Sequence, residues 1–417
     1  MLKENLRHAA HYVKSYYRFR DCVSNYNQGI KSLQGKKGKT IIFLINFPES
    51  WNSVKSVYEA AIKDGKYNVY IIAAPQLSSD IATKTGAMGI KNDAYEFFVK
   101  NNIDVINASK ENGDWIDLRD YNPDYVIYTR PYNDAYPEPF RPVNVCKYAK
   151  LYYIPYAYSM LSDSMLLSVL PENFIFCMRK VYLANKSRKI ECEKVHPRYG
   201  KYAADRFEYL GFPRFDLYEF DETTEKDNKR YTIAWMPRWT AGSAADKHKG
   251  SHFLLYYKQV IQFAKDNPNV EVIIRPHPKM FGHFVATGIM SQEEVDDFMN
   301  TCESMDNLSL DKNKDYINTI KNSDLLLADY TSLIAEFFMT GKPVVFCDTV
   351  EGLNLEGQKI CGSLYYAENF DQIKERIFRI IGGNDEEYGN RQKIIHELLP
   401  SQSGGIGKSI LESIINS

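Results

Sequence analysis

The sequence predicts an α/β protein built from two Rossmann-like domains that face each other across a cleft. In both halves of the chain, short apolar runs with strand character alternate with helical segments, and this order is typical of mostly parallel sheets. The wholly polar segment 221–230 separates the halves and has the composition of a linker or an exposed loop. A length of 417 residues is also too great for one ordinary domain.

The first half contains five predicted strands, at 40–47, 68–74, 104–107, 125–129 and 151–155. Helices are expected between them, for example at 51–63 and 93–101. No G-x-G-x-x-G motif follows the first strand, so a dinucleotide redox site is not expected. We predict a basic helical segment over 1–38, a first Rossmann-like domain over 39–220, a linker over 221–230, a second Rossmann-like domain over 231–385 and C-terminal helices over 386–417.

The second half contains predicted strands at 231–236, 270–275, 325–328, 344–347 and 362–365. The polar turn 329–332 and an apolar helix over 333–339 join two of these strands in a β-α-β unit, and Gly341 and Pro343 end that helix. In open parallel sheets, ligands bind where a strand's carboxyl end meets a helix's amino end, and the N–H groups there attract phosphate. The alternative interpretation is an ordinary β-α-β unit with a well-capped helix.

A second polar strand end supports a binding site. Arg275 and His277 alternate with two prolines at the end of the predicted strand 270–275, and proline stops a strand because it lacks a backbone donor. Arginine and histidine suit an anion and a proton transfer. Taken alone, His277 could equally be a surface residue or a satisfied core residue. Two polar strand ends in one sheet favour the functional interpretation.

Bulk composition excludes several classes of function. A net charge of −1 argues against a nucleic-acid-binding protein. No run of about 18 apolar residues predicts a membrane span, and the N-terminus lacks the apolar core of a signal peptide. The seven scattered cysteines contain no C-x-x-C pair, which favours free buried thiols in the cytosol. Neither a P-loop nor an Asp-x-Asp motif is present, so we expect no metal and no cofactor.

Motifs of the second half resemble those of the CDP-glycerol glycerophosphotransferase family, which builds teichoic-acid and capsule polymers. They are Arg275-Pro276-His277-Pro278, Ser323-Asp324 and Asp329-Tyr330-Thr331-Ser332. Segments 210–216, 235–239 and 407–409 add to the likeness, which covers about 205–417 and is thin before that. The resemblance implies a GT-B fold, with an acceptor domain first and a CDP-alditol donor domain second.

The resemblance also implies a reaction, the transfer of a phospho-alditol from a cytidine diphosphate donor to an acceptor hydroxyl. His277 would neutralise or protonate the leaving group, and Arg275 would hold the diphosphate. The hydroxyls of Thr331 and Ser332 would bind phosphate oxygens together with the helix N–H groups. Asp329 would either orient His277 or cap the helix.

Two further residues are candidate donor ligands. Glu336 lies about one turn into the predicted helix, where it would bind the nucleotide ribose unless it is an ordinary surface glutamate. Arg238 ends the first strand of the second domain and is a second candidate for phosphate, with a solvated arginine as the alternative.

The acceptor side departs from the family pattern. The family usually carries a Trp-His-Gly type motif whose histidine is thought to act as the base, but the aligned segment 153–158 contains no histidine. Asp134 and Glu49 each lie just after a predicted strand and are the candidate bases. Tyr156 is expected to shape the acceptor site.

The basic N-terminal segment predicts where in the cell the protein acts. Residues 1–39 carry nine basic and two acidic side chains, a net charge of +7, and apolar residues recur at helical spacing from Leu2 to Val13. A basic amphipathic helix can lie on an anionic membrane. We therefore expect a cytoplasmic protein that contacts the inner face of the plasma membrane peripherally, with a soluble helix packed on the first domain as the alternative.

Three functions stay open on the sequence alone. The first is a CDP-glycerol or CDP-ribitol phosphotransferase, whose partners are a CDP-alditol donor and a glycan or lipid-linked acceptor at the cell surface. The second is a GT-B glycosyltransferase that uses a nucleotide sugar. The third is a non-catalytic GT-B-like binding protein. None of the three involves nucleic acid.

Overall fold

The computed structural model describes residues 13, 17, 19–35, 38–77, 89–162, 170–195, 206–218, 230–240, 250–313, 315–348, 351–399 and 405–417. The chain divides into two compact units. The first comprises Met1–Ala157, Asp163–Leu217 and Pro400–Ser417, and the second comprises Tyr158–Ser162 and Tyr218–Leu399. Each unit is built on a parallel sheet, so the predicted α/β class is confirmed.

The sheet of the first unit has seven strands in the order β3-β2-β1-β4-β5-β6-β7, all paired in parallel. The strands are β1 Thr40–Ile45, β2 Asn68–Ala73, β3 Ile106–Asn107, β4 Tyr125–Tyr128, β5 Lys150–Tyr153, β6 Met178–Tyr182 and β7 Phe207–Glu208. The chain builds outward from β1 to β3 and then returns to the other side of β1 at β4. The gap between β1 and β4 is therefore the topological switch point, where open α/β sheets bind ligands.

Helices cover this sheet. They are Arg20–Leu33, Lys55–Asp64, Asp93–Lys100, Pro142–Val145, Glu172–Ile175, Lys186–Val195 and Ile406–Asn416, with 3₁₀ turns at Pro48–Ser53, Leu118–Tyr121, Asn133–Ala135, Glu138–Phe140 and Pro213–Tyr218. Strands β1 and β4 are buried over their whole length, as expected for a sheet covered on both faces.

The last helix of the chain belongs to the first unit. The carboxylate of Asp216 accepts hydrogen bonds from the backbone N–H groups of Ile406 and Gly407, at 2.9 and 2.7 Å, and so caps the start of the helix. The hydroxyl of Tyr152 donates to the carbonyl of Ile414 at its end. The predicted C-terminal segment 386–417 thus contains two helices that fall in different units.

The sheet of the second unit has six parallel strands in the order β10-β9-β8-β11-β12-β13. The strands are β8 Tyr231–Met236, β9 Val270–Ile274, β10 Leu308–Leu310, β11 Leu325–Ala328, β12 Val344–Phe346 and β13 Tyr365–Tyr366. The helices are Phe253–Asp266, Met280–Ala286, Gln292–Glu303, Ile317–Asn322, Leu333–Phe338, Leu355–Cys361, Phe370–Ile381 and Tyr388–Leu398. The switch point here lies between β8 and β11.

The predicted strands 231–236 and 325–328 match β8 and β11 residue for residue, while the other predicted strands are shorter in the structure or shifted. Strands β6, β7 and β10 were not predicted. β7 and β10 have two and three residues, and β6 carries half-buried Arg179 and Lys180, so none of them presents a continuous apolar run. All seven cysteines are buried and free of disulfides, as predicted.

The basic N-terminal segment is described in part, as the helix Arg20–Leu33. Its predicted apolar stripe lies outside the described residues apart from Val13, and so does the linker apart from Arg230. Within the described ranges, no helix is long and apolar enough to cross a membrane.

Replacing Gly407 by alanine should destabilise the first unit. A Cβ at this position would lie 2.6 Å from the carbonyl oxygen of Ser56 in the helix Lys55–Asp64, which is closer than van der Waals contact allows. We expect a loss of about 1–3 kcal/mol in the free energy of unfolding, measured by urea denaturation. Gly389→Ala is the matched control, because its Cβ would meet no atom within 4 Å. Equal stabilities of the two variants would contradict the close packing.

Candidate functional site

A buried carboxylate, that of Asp329, occupies the switch point of the second sheet. Asp329 directly follows β11 and is fully buried. One of its oxygens accepts a hydrogen bond from the backbone N–H of Arg238 at 2.6 Å, and the other accepts from that of His252 at 2.9 Å. Burial raises the pKa of Asp329, and its hydrogen bonds with His252 oppose that shift. The carboxylate therefore ties together the segment after β8 and the start of the helix Phe253–Asp266.

These partners differ from both of those expected for Asp329, which were His277 and the N–H groups of the following helix. The helix Leu333–Phe338 follows the N-cap residue Ser332, whose own side chain makes no capping hydrogen bond. Thr331 and Ser332 are half-buried, and the hydroxyl oxygen of Thr331 accepts from the N–H of Leu333 at 3.4 Å. Thr331 and Ser332 thus lie in the turn that follows β11, at the carboxyl edge of the sheet.

Arg238 lies at the same edge and is held from two sides. Its backbone binds Asp329, and its guanidinium Nη1 lies 4.0 Å from a carboxylate oxygen of Asp348, which follows β12. Its side chain is 14% exposed, so it is not the solvated arginine of the alternative interpretation. The same oxygen of Asp348 accepts from the N–H of Tyr330 at 3.2 Å.

Arg275, which follows β9, already has protein partners. Its Nη1 donates to Asp311 at 2.6 Å and its Nη2 to the carbonyl of Asn313 at 2.7 Å, while its guanidinium lies 5.4 Å from the ring centre of Tyr316. Burial alone would raise the pKa of Asp311, but hydrogen bonds from Thr319, Asn313 and Arg275 outweigh burial and lower it. The guanidinium is thus fixed in place, and a phosphate would meet only its remaining N–H groups.

His277 is exposed and has one nitrogen engaged. Its Nδ1 accepts a hydrogen bond from the N–H of Lys279 at 3.2 Å, and its ring centre lies 5.8 Å from that of Trp239. Desolvation lowers the pKa of His277, and the positive charge of Lys279 lowers it further. The neutral ring therefore carries its proton on Nε2, an assignment that follows from the bond at Nδ1. That N–H can donate to an anionic oxygen.

Glu336 is buried, with 1% exposure, so it is not an ordinary surface glutamate. Its carboxylate accepts from the hydroxyl of Tyr218 at 2.7 Å and from that of Tyr316 at 2.9 Å. Because Tyr316 also contacts Arg275, Glu336 helps to position that arginine. Its predicted place near the nucleotide ribose stays a hypothesis.

The carboxyl edge of the first sheet carries another cluster, in which Tyr156 was expected and Arg130 was not. Arg130 follows β4, and its guanidinium lies 5.0 Å from the ring centre of Phe47, 5.2 Å from that of Tyr132 and 5.9 Å from that of Tyr156. Burial and the proximity of Tyr132 raise the pKa of Tyr156 to about 12, which Arg130 partly opposes. A signal was present, because Arg130-Pro131 ends a strand in the same way as Arg275-Pro276.

The two candidate bases occupy different environments in the first unit. Asp134 lies in the 3₁₀ turn Asn133–Ala135 and is exposed. Glu49 lies in the turn after β1 and is half-buried, and its Oε2 is shielded from solvent without a hydrogen-bond partner among the described residues. Arg214 donates from Nη2 to the carbonyls of Glu49 and Tyr156, at 3.0 and 2.8 Å. This arginine holds the ends of β1 and β5 together.

No metal site accompanies these clusters in the part of the chain that the structure describes, because no three His, Cys, Asp or Glu side chains converge there. The polar groups of the second edge are instead arginines, a histidine, hydroxyls and buried carboxylates. Such a set can bind a phosphorylated ligand through charge and hydrogen bonds.

Residues 186–349 match the family described as CDP-Glycerol:Poly(glycerophosphate) glycerophosphotransferase. The matched span contains Arg238, Arg275, His277, Asp329 and Glu336, and it confirms the resemblance that the motifs predicted. This part of the chain is therefore CDP-glycerol glycerophosphotransferase-like. No curated protein matches the sequence.

Solved structures share the fold. The wall teichoic acid polymerase TagF aligns over 100% of this chain and 97% of its own, with 10% identity and a TM-score of 0.56. The UDP-GlcNAc 2-epimerase of Neisseria meningitidis aligns over 91% and 100%, with 13% identity and a TM-score of 0.57. A 2-epimerase homologue from Listeria monocytogenes aligns over 90% of this chain and 96% of its own, with 12% identity and a TM-score of 0.55. At these identities the likeness shows the fold alone, which is of the GT-B type as predicted.

Proposed function

We propose that this chain transfers a phospho-alditol, glycerol phosphate or ribitol phosphate, from a CDP-linked donor to a hydroxyl of a glycan or lipid-linked acceptor. The observation that carries the proposal is the family match over 186–349, because it spans the strand edge where Arg238, Arg275 and His277 lie. One structure of the wall teichoic acid polymerase TagF was obtained after a soak with CDPG, which supports a donor of the same class for this chain.

The donor's diphosphate would bind at the carboxyl edge of the second sheet. Phosphoryl transfer depends on positioning and on neutralising the charge that develops, rather than on covalent chemistry by the protein. Arg238 and the unused N–H groups of Arg275 would supply positive charge, while the hydroxyls of Thr331 and Ser332 would donate to phosphate oxygens. Asp329 would act through position, since it holds the backbone of Arg238.

The reaction breaks the bridging P–O bond of the diphosphate and releases CMP. The acceptor oxygen forms the new P–O bond, and its proton leaves to a base. His277 is kept mainly neutral in the free protein by its lowered pKa, but the negative charge of a bound diphosphate would raise that pKa and favour protonation. His277 would then donate a proton or a hydrogen bond from Nε2 to the leaving CMP.

The acceptor-side base would come from the first unit, where no histidine is available between His11 and His196. Glu49 fits this role better than Asp134. The Oε2 of Glu49 is shielded from solvent and has no hydrogen-bond partner among the described residues, so it is available to accept the proton, whereas Asp134 is exposed. Tyr156 would shape the acceptor site through its contacts with Phe47 and Arg130.

A nucleotide-sugar glycosyltransferase is the second candidate, because the fold is shared with a structure bound to UDP-GlcNAc. In both cases we place the protein on the cytoplasmic side of the membrane. The nine basic residues of the N-terminal 39 support peripheral contact with anionic lipid, and cell-envelope or capsule synthesis is the expected process.

The donor class should be visible in ligand stabilisation. The full-length protein is heated with CDP-glycerol, CDP-ribitol, UDP-GlcNAc or no ligand, and unfolding is followed by fluorescence. A CDP-alditol at 100 times its Kd should add about 2.7 kcal/mol to the free energy of unfolding, whereas UDP-GlcNAc should add nothing. Stabilisation by the sugar nucleotide alone would favour the glycosyltransferase, and stabilisation by none would favour a binding protein.

The base should be identified by two isosteric substitutions. Glu49→Gln should lower kcat roughly 10²–10⁴-fold, because the amide cannot take the acceptor proton. Asp134→Asn, the matched control, should change kcat by less than about threefold, since exposed substitutions away from the chemistry have small effects. The reverse ranking would assign the base to Asp134.

A further inference from the structure

Buried polar atoms without partners gather at the switch point of the first sheet. They are Nε and Nη1 of Arg130, Oδ1 of Asn46 and Oε2 of Glu49, all shielded from solvent and without a hydrogen bond among the described residues. Arg130 also forms no ion pair there, although it carries a full charge. Burying unpaired donors and acceptors is unfavourable. Their concentration in one place therefore points to a ligand.

The residues that carry these atoms lie at one edge of the sheet. Asn46 and Phe47 directly follow β1, and Arg130 follows the neighbouring strand β4. The guanidinium of Arg130 lies against the rings of Phe47, Tyr132 and Tyr156. The backbone carbonyls of Glu49 and Tyr156 both accept a hydrogen bond from Nη2 of Arg214, which places these two residues side by side. We call Asn46, Phe47, Glu49, Arg130, Tyr132 and Tyr156 the first-edge site.

The side chains of Arg130 and Asn46 are held in place before any ligand arrives. Three aromatic rings restrict the guanidinium of Arg130, and Tyr156 contacts Phe47 edge-on with ring centres 6.0 Å apart. The Nδ2 of Asn46 donates to the carbonyl of Ala135 at 3.0 Å, which leaves its Oδ1 as the unpaired acceptor. A preorganised site loses little entropy on binding.

The unpaired atoms specify a ligand chemistry. Arginine N–H donors match phosphate oxygens, with which they form strong charge-assisted hydrogen bonds. The acceptors on Asn46 and Glu49 instead require donors, which hydroxyl groups supply. A ligand with both a phosphate and adjacent hydroxyls, a polyol phosphate, satisfies both sets. An isolated phosphate satisfies only the arginine.

We propose that the first-edge site binds a polyol phosphate, with Arg130 on the phosphate and Asn46 and Glu49 on the hydroxyls. The assignment of this ligand as the phosphorylated end of the acceptor rests on the proposed function, whereas the binding site itself does not. Arg130 would then position the acceptor, and a hydroxyl bound to Glu49 would be the one that reacts.

Calorimetric titration of the full-length protein tests the site without donor or turnover. Glycerol 3-phosphate, methyl phosphate, inorganic phosphate and acetate are titrated into the wild type, Arg130→Met, Arg130→Lys and Arg119→Met. Methionine keeps contact with the three rings but has no N–H donors. Lysine keeps the charge without the planar fork. Arg119, an exposed arginine of the same unit paired with Asp117, is the matched control for lost charge.

Glycerol 3-phosphate should bind the wild type most tightly, and its affinity should fall at least about tenfold in both Arg130 variants. Arg119→Met should bind like the wild type. Unchanged binding in folded Arg130→Met would overturn the site. Methyl phosphate, inorganic phosphate or acetate binding as tightly as glycerol 3-phosphate would overturn the polyol phosphate assignment. A wild type that binds glycerol 3-phosphate through Arg130 but shows no transfer activity would count against the proposed function and not against the site.

Discussion

The candidate site at the carboxyl edge of the second sheet depends on the hydrogen bonds of one buried carboxylate, that of Asp329. Its oxygens accept the backbone N–H groups of Arg238 and His252, at the point where β8 and β11 separate. Burial alone favours the neutral acid, and the two hydrogen bonds favour the ionised form that can accept both. The backbone after β8 and the start of the next helix are thereby fixed, and with them the position of Arg238 beside Asp348.

The first unit also uses one charged side chain to hold two backbone segments together, but there the side chain is positive and the backbone groups are carbonyls. There a guanidinium, that of Arg214, joins the carbonyls of Glu49 and Tyr156 at the ends of β1 and β5, and Arg130 lies near them among aromatic rings. Each sheet thus carries a polar cluster at its switch point, as expected for open α/β sheets. Protein partners satisfy most polar groups of the cluster on the second sheet, whereas the cluster on the first sheet keeps several buried polar atoms without a hydrogen bond among the described residues.

Much of this arrangement follows from local sequence. Strands β8 and β11 were predicted correctly because continuous apolar runs end at a proline or a polar turn, and parallel pairing then places Arg238, Arg275, His277 and Asp329 at one edge. The partners of these residues were not predictable. The hydrogen bond from Tyr218 to Glu336 joins residues 118 positions apart in the sequence, and that from Arg275 to Asp311 joins residues 36 positions apart. Only tertiary packing determines such pairs. The same packing leaves Nε and Nη1 of Arg130 without a hydrogen bond among the described residues, whereas the sequence shows only a strand-end arginine before proline.

The central claim is phosphoryl transfer at the carboxyl edge of the second sheet. The most direct test compares product formation by the wild type and by His277→Ala. CDP-glycerol and a glycerol phosphate acceptor are incubated with each protein, and CMP and the new phosphodiester are quantified by chromatography. The wild type should form the two products in equal amounts. His277→Ala, with its melting temperature retained, should form them at least about 100-fold more slowly. Unchanged turnover in His277→Ala, or no CMP from the wild type, would contradict the account.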